Sequence, residues 1–281
     1  MAEKGVIYST GQLDCLSYYS KIFSKIKNFV GDREIATKTY IPESIPPFIV
    51  HRGSDDSALR ISDLLGIPQS FLKLRYHKKL HEVEKQLTEK QKLIWRYFVP
   101  RKLVELHYAC NHEGVGKSFD RIFIDIDASK GTSEAAYIKV VKQLLKEIRA
   151  DKELKKLSSY RIYLLWTGMS MHVYLILNKK LPHSAYDKYF AFHKDSLTTK
   201  WANNISEKTK VKVKAGHERR AGAVILDTSA TPSGKLARCP YSLHLNHKGK
   251  LTGVAVPLKE SQIKSGLFKL RNLTPDEALR Y

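Results

Sequence analysis

The sequence predicts an α/β (α+β) fold in which a small mixed sheet is flanked by helices and preceded by a helical N-terminal subdomain. The first hundred residues carry apolar side chains mainly at helical spacing, whereas strand and helix patterns alternate from Phe119 onward. Hydrophobic residues make up 42% of the 281-residue chain, which is enough for a packed core. We therefore expect a helical subdomain over residues 1–105 and a catalytic core over residues 106–281.

The N-terminal part predicts two helices separated by a loop. Residues 14–26 have apolar side chains at helical spacing, and three prolines then favour an extended loop: Pro42, Pro46 and Pro47. Residues 77–98 predict one charged amphipathic helix that ends before Pro100. Its apolar stripe is typical of core packing and comprises Leu80, Val83, Leu87 and Ile94.

The second part predicts four strands and two helices. Its expected strands cover residues 121–127, 161–166, 171–177 and 223–227. Its expected helices cover residues 134–150 and 184–205, and residues 152–159 form a polar connection. The four residues from Thr167 to Ser170 have the length of a hairpin turn, and Gly168 supplies the flexibility that such a turn needs.

The charge of the chain points to a polyanionic partner. There are 49 Lys and Arg residues against 28 Asp and Glu, which gives a formal net charge of +21. Nucleic acid fits this excess better than an anionic membrane does, and no apolar run reaches the roughly 18 residues of a membrane span. The first residues lack the layout of a secretory signal, and the three cysteines are widely spaced. We therefore expect a cytoplasmic protein without a disulfide framework.

The most informative segment is Arg121-Ile-Phe-Ile-Asp-Ile-Asp127. Residues two apart on a strand point to the same face, so the carboxylates of Asp125 and Asp127 lie side by side. Like charges at that spacing resist joint ionisation unless a cation lies between them, and carboxylates suit Mg²⁺ or Mn²⁺. The alternative is a strand that ends in a solvated turn.

Three further groups of polar residues follow the acidic pair along the chain. Ser170 and His172 share a strand face and could bind a phosphate oxygen, although a buried structural histidine is the alternative. Asp227 ends a strand, where an aspartate can serve as a metal ligand or simply form a turn. Arg238, Ser242 and His244 offer a forked cation and two polar groups to a triphosphate, or ordinary hydrogen bonds within a loop.

Two other patterns predict no site. Gly114-Val-Gly-Lys-Ser118 resembles the end of a phosphate-binding P-loop, but Asn111 stands at the first glycine position and the segment leads into a strand. His107, Cys110 and His112 could supply three zinc ligands, but their spacing is not that of a standard zinc site. Zinc is therefore not expected.

The four groups together resemble the archaeo-eukaryotic primase superfamily. Its members carry an acidic pair on a strand, a Ser-x-His element, a strand-end Asp and a basic nucleotide-binding segment. The matching residues are Asp125 with Asp127, Ser170-Met-His172, Asp227 and Arg238-Cys-Pro-Tyr-Ser-Leu-His244. The last segment departs from the primase pattern at Tyr241, which stands where a glycine is usual. The resemblance covers roughly residues 115–260.

The same region is also similar to the polymerase domain of bacterial ligase D, an enzyme of end joining. There an Asp-x-Asp strand runs into Gly-Thr-Ser, as the strand here runs into Gly131-Thr-Ser133. Val254-Ala-Val-Pro-Leu258 matches a second segment of that domain. Primase subunits usually carry a cluster of zinc-binding cysteines that this chain lacks. The similarity therefore points to both replicative primases and repair polymerases.

These resemblances imply a template-dependent nucleotidyltransferase that uses two Mg²⁺ or Mn²⁺ ions. They imply that Asp125, Asp127 and Asp227 bind the metal ions, while Ser170, His172, Arg238, Ser242 and His244 bind the nucleotide. Nucleoside triphosphates and a single-stranded DNA template are the expected ligands, and a helicase or second primase subunit is a further candidate partner.

Basic residues beyond these segments are candidates for nucleic-acid binding. Lysines between Lys179 and Lys214, interleaved with Trp201 and other aromatic residues, could follow a template backbone or form a solvated helix face. Arg219, Arg220 and Lys235 are candidates for holding an initiating nucleotide.

Three alternatives to a primase remain open. The first is an end-joining, gap-filling polymerase of the ligase D type. The second is a catalytically silent nucleic-acid-binding subunit, although such a subunit would need neither three aspartates nor His172. The third is a metal-dependent nuclease, in which the Arg238–His244 segment would have no evident task.

Overall fold

The computed structural model describes residues 15–218 and 221–281. The α-helices within these ranges are α1 (Cys15–Tyr19), α2 (Phe23–Val30), α3 (Ile61–Leu64), α4 (Gln69–His77), α5 (Leu80–Val83), α6 (Glu89–Tyr97), α7 (Glu134–Ala150), α8 (Lys152–Leu157), α9 (Ser184–Tyr189), α10 (Leu197–Thr209) and α11 (Pro275–Ala278). Short 3₁₀ helices span Glu84–Gln86, Glu260–Gln262 and Leu267–Asn272. Arg219 and Arg220 lie outside the described residues.

The strands in the described part of the chain form three sheets. They are β1 (Ile35–Tyr40), β2 (Phe48–His51), β3 (Val104–Ala109), β4 (Phe119–Ala128), β5 (Tyr160–Trp166), β6 (Met171–Leu181), β7 (Val213–Ala215), β8 (Val224–Asp227), β9 (Leu236–Arg238), β10 (Leu243–Leu245), β11 (Leu251–Val254) and β12 (Val256–Leu258). The sheet orders are β2-β1-β3-β9, β10-β11 and β12-β5-β6-β4-β8-β7. The predicted mixed α/β fold is confirmed.

The chain divides into two units. The first contains the residues up to Ala109 together with Leu236–Val256 and Asn272–Tyr281. The second contains Cys110–Lys235 and Pro257–Arg271. The chain therefore returns to the first unit after completing most of the second, a crossing that the two contiguous ranges expected from the sequence did not include.

The first unit contains three N-terminal strands that the sequence analysis did not predict, in addition to the expected helices. β1 pairs antiparallel with both β2 and β3, and β3 pairs antiparallel with β9. Along β1, Ile35, Thr37 and Thr39 are buried. The hydroxyl of Thr37 donates to the backbone oxygen of Tyr97, which joins the sheet to α6. The polar threonines obscured a strand whose partners, β2 and β3, lie about 10 and about 70 residues further along the sequence.

The second unit is built on a six-stranded sheet with β4 in its interior. β4 pairs antiparallel with β6 and with β8, while β7 and β8 are parallel. The long helix α7 begins at the predicted residue, where Ser133 accepts a hydrogen bond from the amide of Ala136. Its apolar face is buried, as predicted, and includes Val141, Leu145 and Ile148.

Three predicted helices are interrupted, the first of them over residues 14–26, where a turn separates α1 from α2. Residues 77–98 do not form one helix, because Lys78 and Leu87 are extended and α6 starts anew at a capping box between Thr88 and Gln91. Residues 184–205 are likewise divided into α9 and α10, and Ser196 caps the second helix by accepting from the amide of Thr199. A new helix therefore begins at each of these strong N-cap residues, although the apolar periodicity alone predicted one continuous helix.

One predicted connection is a helix. Residues 152–159 were expected to be polar connection, yet α8 forms there because Asp151 caps it through the amide of Leu154. Only Leu154 of this short helix is buried, which explains why its apolar pattern is weak. Within the described ranges, every helix is too short or too polar to cross a lipid bilayer.

Candidate functional site

The centre of the candidate site is one row of side chains across the sheet of the second unit. Asp125 of β4 is directly paired with Asp227 of β8 on one side and with His172 of β6 on the other. Directly paired residues on adjacent strands point to the same face, so these three side chains lie side by side. Asp127 projects from that face two residues further along β4, opposite Ile225. The structure thus brings together four of the residues singled out from the sequence.

Ser170 orients the first aspartate. The turn between β5 and β6 closes where the amide of Thr167 donates to the backbone oxygen of Ser170 at 2.8 Å. Gly168 has a φ of 97°, which a residue with a side chain rarely adopts. The Ser170 hydroxyl is thereby held in place to donate to Oδ1 of Asp125 at 2.9 Å. This bond orients the Asp125 carboxylate.

His172 is a mostly buried neighbour of the same carboxylate. Its Nε2 lies 3.6 Å from Oδ1 of Asp125, and its Nδ1 lies 3.4 Å from the hydroxyl of Tyr174. The ring of Phe123 packs edge-on against the imidazole, with ring centres 4.7 Å apart. The side chain is only 9% exposed. The environment of His172 is therefore compatible with both interpretations that the sequence left open, a buried structural histidine and a histidine that binds a phosphate oxygen.

Asp227 begins a turn and keeps a partly exposed carboxylate. Its Oδ1 accepts from the amide of Ser229 at 2.7 Å, the bond of an Asp-initiated turn. The same oxygen lies 3.9 Å from Nδ1 of His217, a residue that the sequence analysis did not single out. The next residue, Thr228, is fully buried and donates to the backbone oxygen of Phe190. The turn is thus anchored, and the carboxylate remains partly exposed beside Asp125.

The basic segment of the first unit is organised by an ion pair. Nη1 of Arg238 lies 3.0 Å from Oε1 of Glu105 and donates to the backbone oxygen of Leu243 at 2.6 Å. The amide of Leu245 donates to the same Glu105 oxygen. Burial alone would raise the pKa of Glu105, but Arg238 and then His107 outweigh it and hold the pKa below its ordinary value. The Arg238 side chain keeps 13% exposure.

The sequence analysis missed the importance of Glu105. Alternation along β3 places Glu105 and His107 on the same face, and His107 is the direct partner of Arg238 in β9. Burial, assisted by Arg238, lowers the pKa of His107 to about 3, so its imidazole is neutral at physiological pH. The alternating pattern in residues 104–109 was the available signal, but the pairing with β9 was not visible in the sequence.

Ser242 and His244 are held by local bonds. The Ser242 hydroxyl is completely buried, accepts from the amide of Leu106 and donates to the backbone oxygen of Leu243. Nδ1 of His244 lies 2.8 Å from the hydroxyl of Thr252. Ser242 would have to leave these backbone groups to reach a phosphate, whereas His244 is partly exposed.

The backbone of Tyr241 adopts a conformation that favours glycine, the residue usual at this position of the primase pattern. Its φ is 64°, in the left-handed region that favours glycine. The amide donates to Ala255 at 2.7 Å, and the backbone oxygen accepts from the hydroxyl of Tyr18 at 2.8 Å. These bonds hold Tyr241 in that conformation.

The chemistry of the aspartates fits a hard divalent cation. Oxygen ligands suit Mg²⁺ and Mn²⁺, and Mg²⁺ is commonly held by one or two carboxylates together with substrate phosphates. Over the described ranges, no three His, Cys, Asp or Glu side chains are grouped closely enough to form a complete metal centre by themselves.

The remaining sequence candidates have varied surroundings. The Gly114–Ser118 segment is a loop that leads into β4, as expected. Trp201 is 2% exposed and donates to Asp151, so it belongs to the core and not to the surface that carries the lysines. Most of the lysines between Lys179 and Lys214 are exposed, but Lys200 and Lys208 face Glu153 and Glu147.

Comparison with known proteins gives a structural match and no sequence match. No protein-family model and no curated protein matches the chain. The fold matches the polymerase domain of Mycobacterium tuberculosis ligase D, solved in complex with DNA, with a TM-score of 0.62 and 17% sequence identity. The match covers 99% of this chain and 91% of the other. The resemblance inferred from the motifs is thus confirmed at the level of the fold.

Proposed function

We propose that the protein is a template-dependent nucleotidyltransferase of the primase-polymerase type. The observation that carries the proposal is the row of Asp227, Asp125 and His172 on three adjacent strands, with Asp127 beside it. A row of this kind supplies concentrated negative charge at one end of a sheet, next to a hydroxyl and an imidazole. The fold shared with a polymerase domain agrees with this interpretation.

The three aspartates are the proposed metal ligands. Asp125, Asp127 and Asp227 would hold two Mg²⁺ or Mn²⁺ ions, which, when bound, acidify an attacking hydroxyl and neutralise phosphate charge. Ser170 keeps Asp125 oriented by its 2.9 Å hydrogen bond, and the Ser229 amide does the same for Asp227. Positioning and electrostatics suffice for phosphoryl transfer, so the site needs no side-chain nucleophile.

Four residues are proposed to bind the nucleotide. In the second unit, His172 and Ser170 lie next to the carboxylates and are proposed to contact phosphate oxygens. In the first unit, Arg238 and His244 retain partial exposure and are proposed to bind the triphosphate. Ser242 was proposed for the same task, but its buried hydroxyl supports β3 through Leu106.

Single-stranded DNA is the proposed template. The net charge of +21 and the exposed lysines along the second unit suit a phosphate backbone. The ligase D polymerase domain with the same fold was solved in complex with DNA. A helicase or a second primase subunit remains a candidate partner.

Primer synthesis is favoured over gap filling by one segment. Arg238-Cys-Pro-Tyr-Ser-Leu-His244 ends in the Ser-Leu-His of the primase pattern, and Tyr241, which stands at the usual glycine position, has a left-handed backbone of the kind that favours glycine. The second candidate, gap filling in end joining, is favoured by the structural match to ligase D. A silent binding subunit is the third, and it leaves the clustered carboxylates without a purpose.

The first test is removal of one carboxylate. Asp125→Ala or Asp127→Ala should abolish nucleotide incorporation, with Mg²⁺ or Mn²⁺, while folding and DNA affinity persist. Asp120→Ala is a matched control on the same strand, since Asp120 faces Arg121 at 3.8 Å and lies outside the row. Near-normal incorporation by Asp125→Ala would refute the metal assignment.

A second experiment separates the two polymerase candidates. Labelled nucleotides are incubated with an unprimed single strand and, separately, with a gapped duplex that carries a downstream 5′-phosphate. We expect dinucleotide formation on the unprimed strand. Efficient gap filling without any dinucleotide, under every metal and nucleotide mixture, would replace priming with the repair function. A protein that binds DNA but incorporates nothing would be the silent subunit.

A further inference from the structure

Tyr137 joins the two strands that carry the candidate site. It lies in the first turn of α7 and is completely buried. Its hydroxyl donates to the backbone oxygen of Ile126 at 2.6 Å and accepts from the amide of Met171 at 2.8 Å. A single side chain thus connects β4 and β6 at one rung of the sheet, since Ile126 and Met171 are direct partners.

The two bonded residues are the middle residues of the two motifs. Ile126 stands between Asp125 and Asp127, and Met171 stands between Ser170 and His172. Side chains alternate along a strand, so the four functional side chains project to the face opposite Tyr137. The hydroxyl therefore sets the separation and register of the two motifs from the face opposite the functional side chains. It acts on the backbone of the motifs and not on the reacting groups.

The tyrosine is itself firmly placed. Its ring packs against Phe268, with ring centres 5.5 Å apart, and the guanidinium of Arg271 lies 3.6 Å above the Phe268 ring. The amide of Phe268 donates to Glu134 at the start of α7. Burial, reinforced by the negative charge of Asp125, raises the pKa of Tyr137 well above its ordinary value. The hydroxyl consequently stays protonated and remains a donor.

We propose that Tyr137 is a positioning residue, which holds the Asp125–Asp127 strand and the Ser170–His172 strand at the separation needed to bind a divalent ion. The proposal rests on the proposed function only for its consequence in catalysis. Its structural content is the geometry of the carboxylates, which metal binding measures directly. Without the hydroxyl, the Ile126 carbonyl and the Met171 amide lose a shared partner, and the two strands can shift relative to each other.

The test is Tyr137→Phe, measured by titration with Mn²⁺ alone, followed by electron paramagnetic resonance of the free ion. Loss of a group that orients metal ligands typically weakens metal affinity by about 10- to 100-fold, and we expect at least a tenfold loss. Where incorporation is measurable, kcat should fall by a similar factor while template affinity is unchanged. The Met171 amide should also exchange its hydrogen faster.

Tyr19→Phe is the matched control. Tyr19 is equally buried, and its hydroxyl also bridges two backbone groups, donating to Val104 and accepting from Leu243 in the first unit. It should lower the melting temperature to a similar extent and leave Mn²⁺ affinity unchanged. Equal Mn²⁺ affinity in Tyr137→Phe and the unaltered protein would overturn the inference, as would equal losses in both variants.

The outcomes also separate this inference from the proposed function. If the unaltered protein binds Mn²⁺, Tyr137→Phe binds it weakly and neither incorporates nucleotides, the positioning role stands and the polymerase function fails. If the unaltered protein incorporates nucleotides and Tyr137→Phe matches it in Mn²⁺ affinity and kcat, only the positioning role fails. Absence of saturable Mn²⁺ binding by the unaltered protein would overturn the positioning role, and the incorporation assay would decide the function separately.

Discussion

Tyr241 adopts a backbone conformation that ordinarily favours glycine. Its φ of 64° places Cβ close to the following carbonyl, which costs roughly 1–2 kcal/mol for a residue other than glycine. Two hydrogen bonds hold that conformation. The buried hydroxyl of Tyr18 donates to the backbone oxygen of Tyr241, and the amide of Tyr241 donates to the backbone oxygen of Ala255. The side chain gains a contact with the ammonium group of Lys25, which lies 5.2 Å from the ring centre. The strain is thus offset within the first unit.

A pair of substitutions at this position isolates the strain. Tyr241→Ala and Tyr241→Gly both lose the ring, but only glycine relaxes at positive φ. We expect the Gly variant to be more stable than the Ala variant by about 1 kcal/mol in urea unfolding. At Asn203, in the exposed middle of α10, the same pair should give the opposite order, with Gly less stable by about 1 kcal/mol. An Ala variant as stable as Gly at position 241 would show that the backbone is not strained there.

Local signals in the sequence predicted the elements that they determine. α7 occupies the predicted residues, because a serine cap, an apolar stripe and a majority of good helix formers among its seventeen residues agree. The strand of the acidic pair and its hairpin partners were predicted within a few residues. Alternation then placed Asp125 with Asp127, and Ser170 with His172, on shared faces. That part of the candidate site followed from period-two geometry.

Contacts between distant segments were beyond the sequence. β1 was missed because Thr37 and Thr39 look polar, although both are buried against other elements. The partner of Arg238 was missed because Glu105 lies 133 positions earlier and becomes its neighbour only when β9 joins β3. Tyr137 looked like one more apolar residue of α7, since nothing local shows that its hydroxyl lies between two strands. Pairing and tertiary packing decided each of these cases.

A single asparagine fastens the start of β4 to the loop that follows β8. The Asn111 amide donates to the backbone oxygens of Arg121 and Thr231, and its oxygen accepts from the amides of Asp120 and Arg121. The residue is completely buried, so all of its hydrogen-bonding capacity is used inside the protein. Asn111 thereby connects the strand that carries Asp125 to the segment that follows Asp227 in the sequence.

Asn111→Ala should therefore be strongly destabilising. It leaves several buried backbone groups without a partner, and we expect a loss of about 3 kcal/mol or more in the free energy of unfolding. The comparison is Asn178→Ala, which removes one exposed bond to Ser159 and should change stability by less than about 0.5 kcal/mol. Urea denaturation of both variants measures the difference. Similar values for the two would show that the Asn111 bonds do not fasten the strand.

The whole chain carries two opposing electrostatic features. Its net charge is +21, whereas the row in the second unit, together with Asp127 beside it, places three carboxylates on one face of a sheet. A basic surface attracts a nucleic-acid backbone, and the local negative charge instead favours divalent cations. The two ligands therefore need not compete for the same groups. Neutralising the carboxylates should leave DNA affinity unchanged or slightly increased.

Salt should weaken template binding far more than it weakens a neutral contact. Each phosphate neutralised on a single strand releases counterions, so the logarithm of affinity falls with a slope of roughly −0.7 per phosphate contact. With about five such contacts, raising the salt from about 50 to about 200 mM should reduce affinity on the order of a hundredfold. Fluorescence anisotropy of a labelled single strand measures this slope directly. The Asp125→Ala variant should give the same slope, because it removes no cation. A flat response would mean that the basic surface binds something other than nucleic acid, and the proposed template would have to be abandoned.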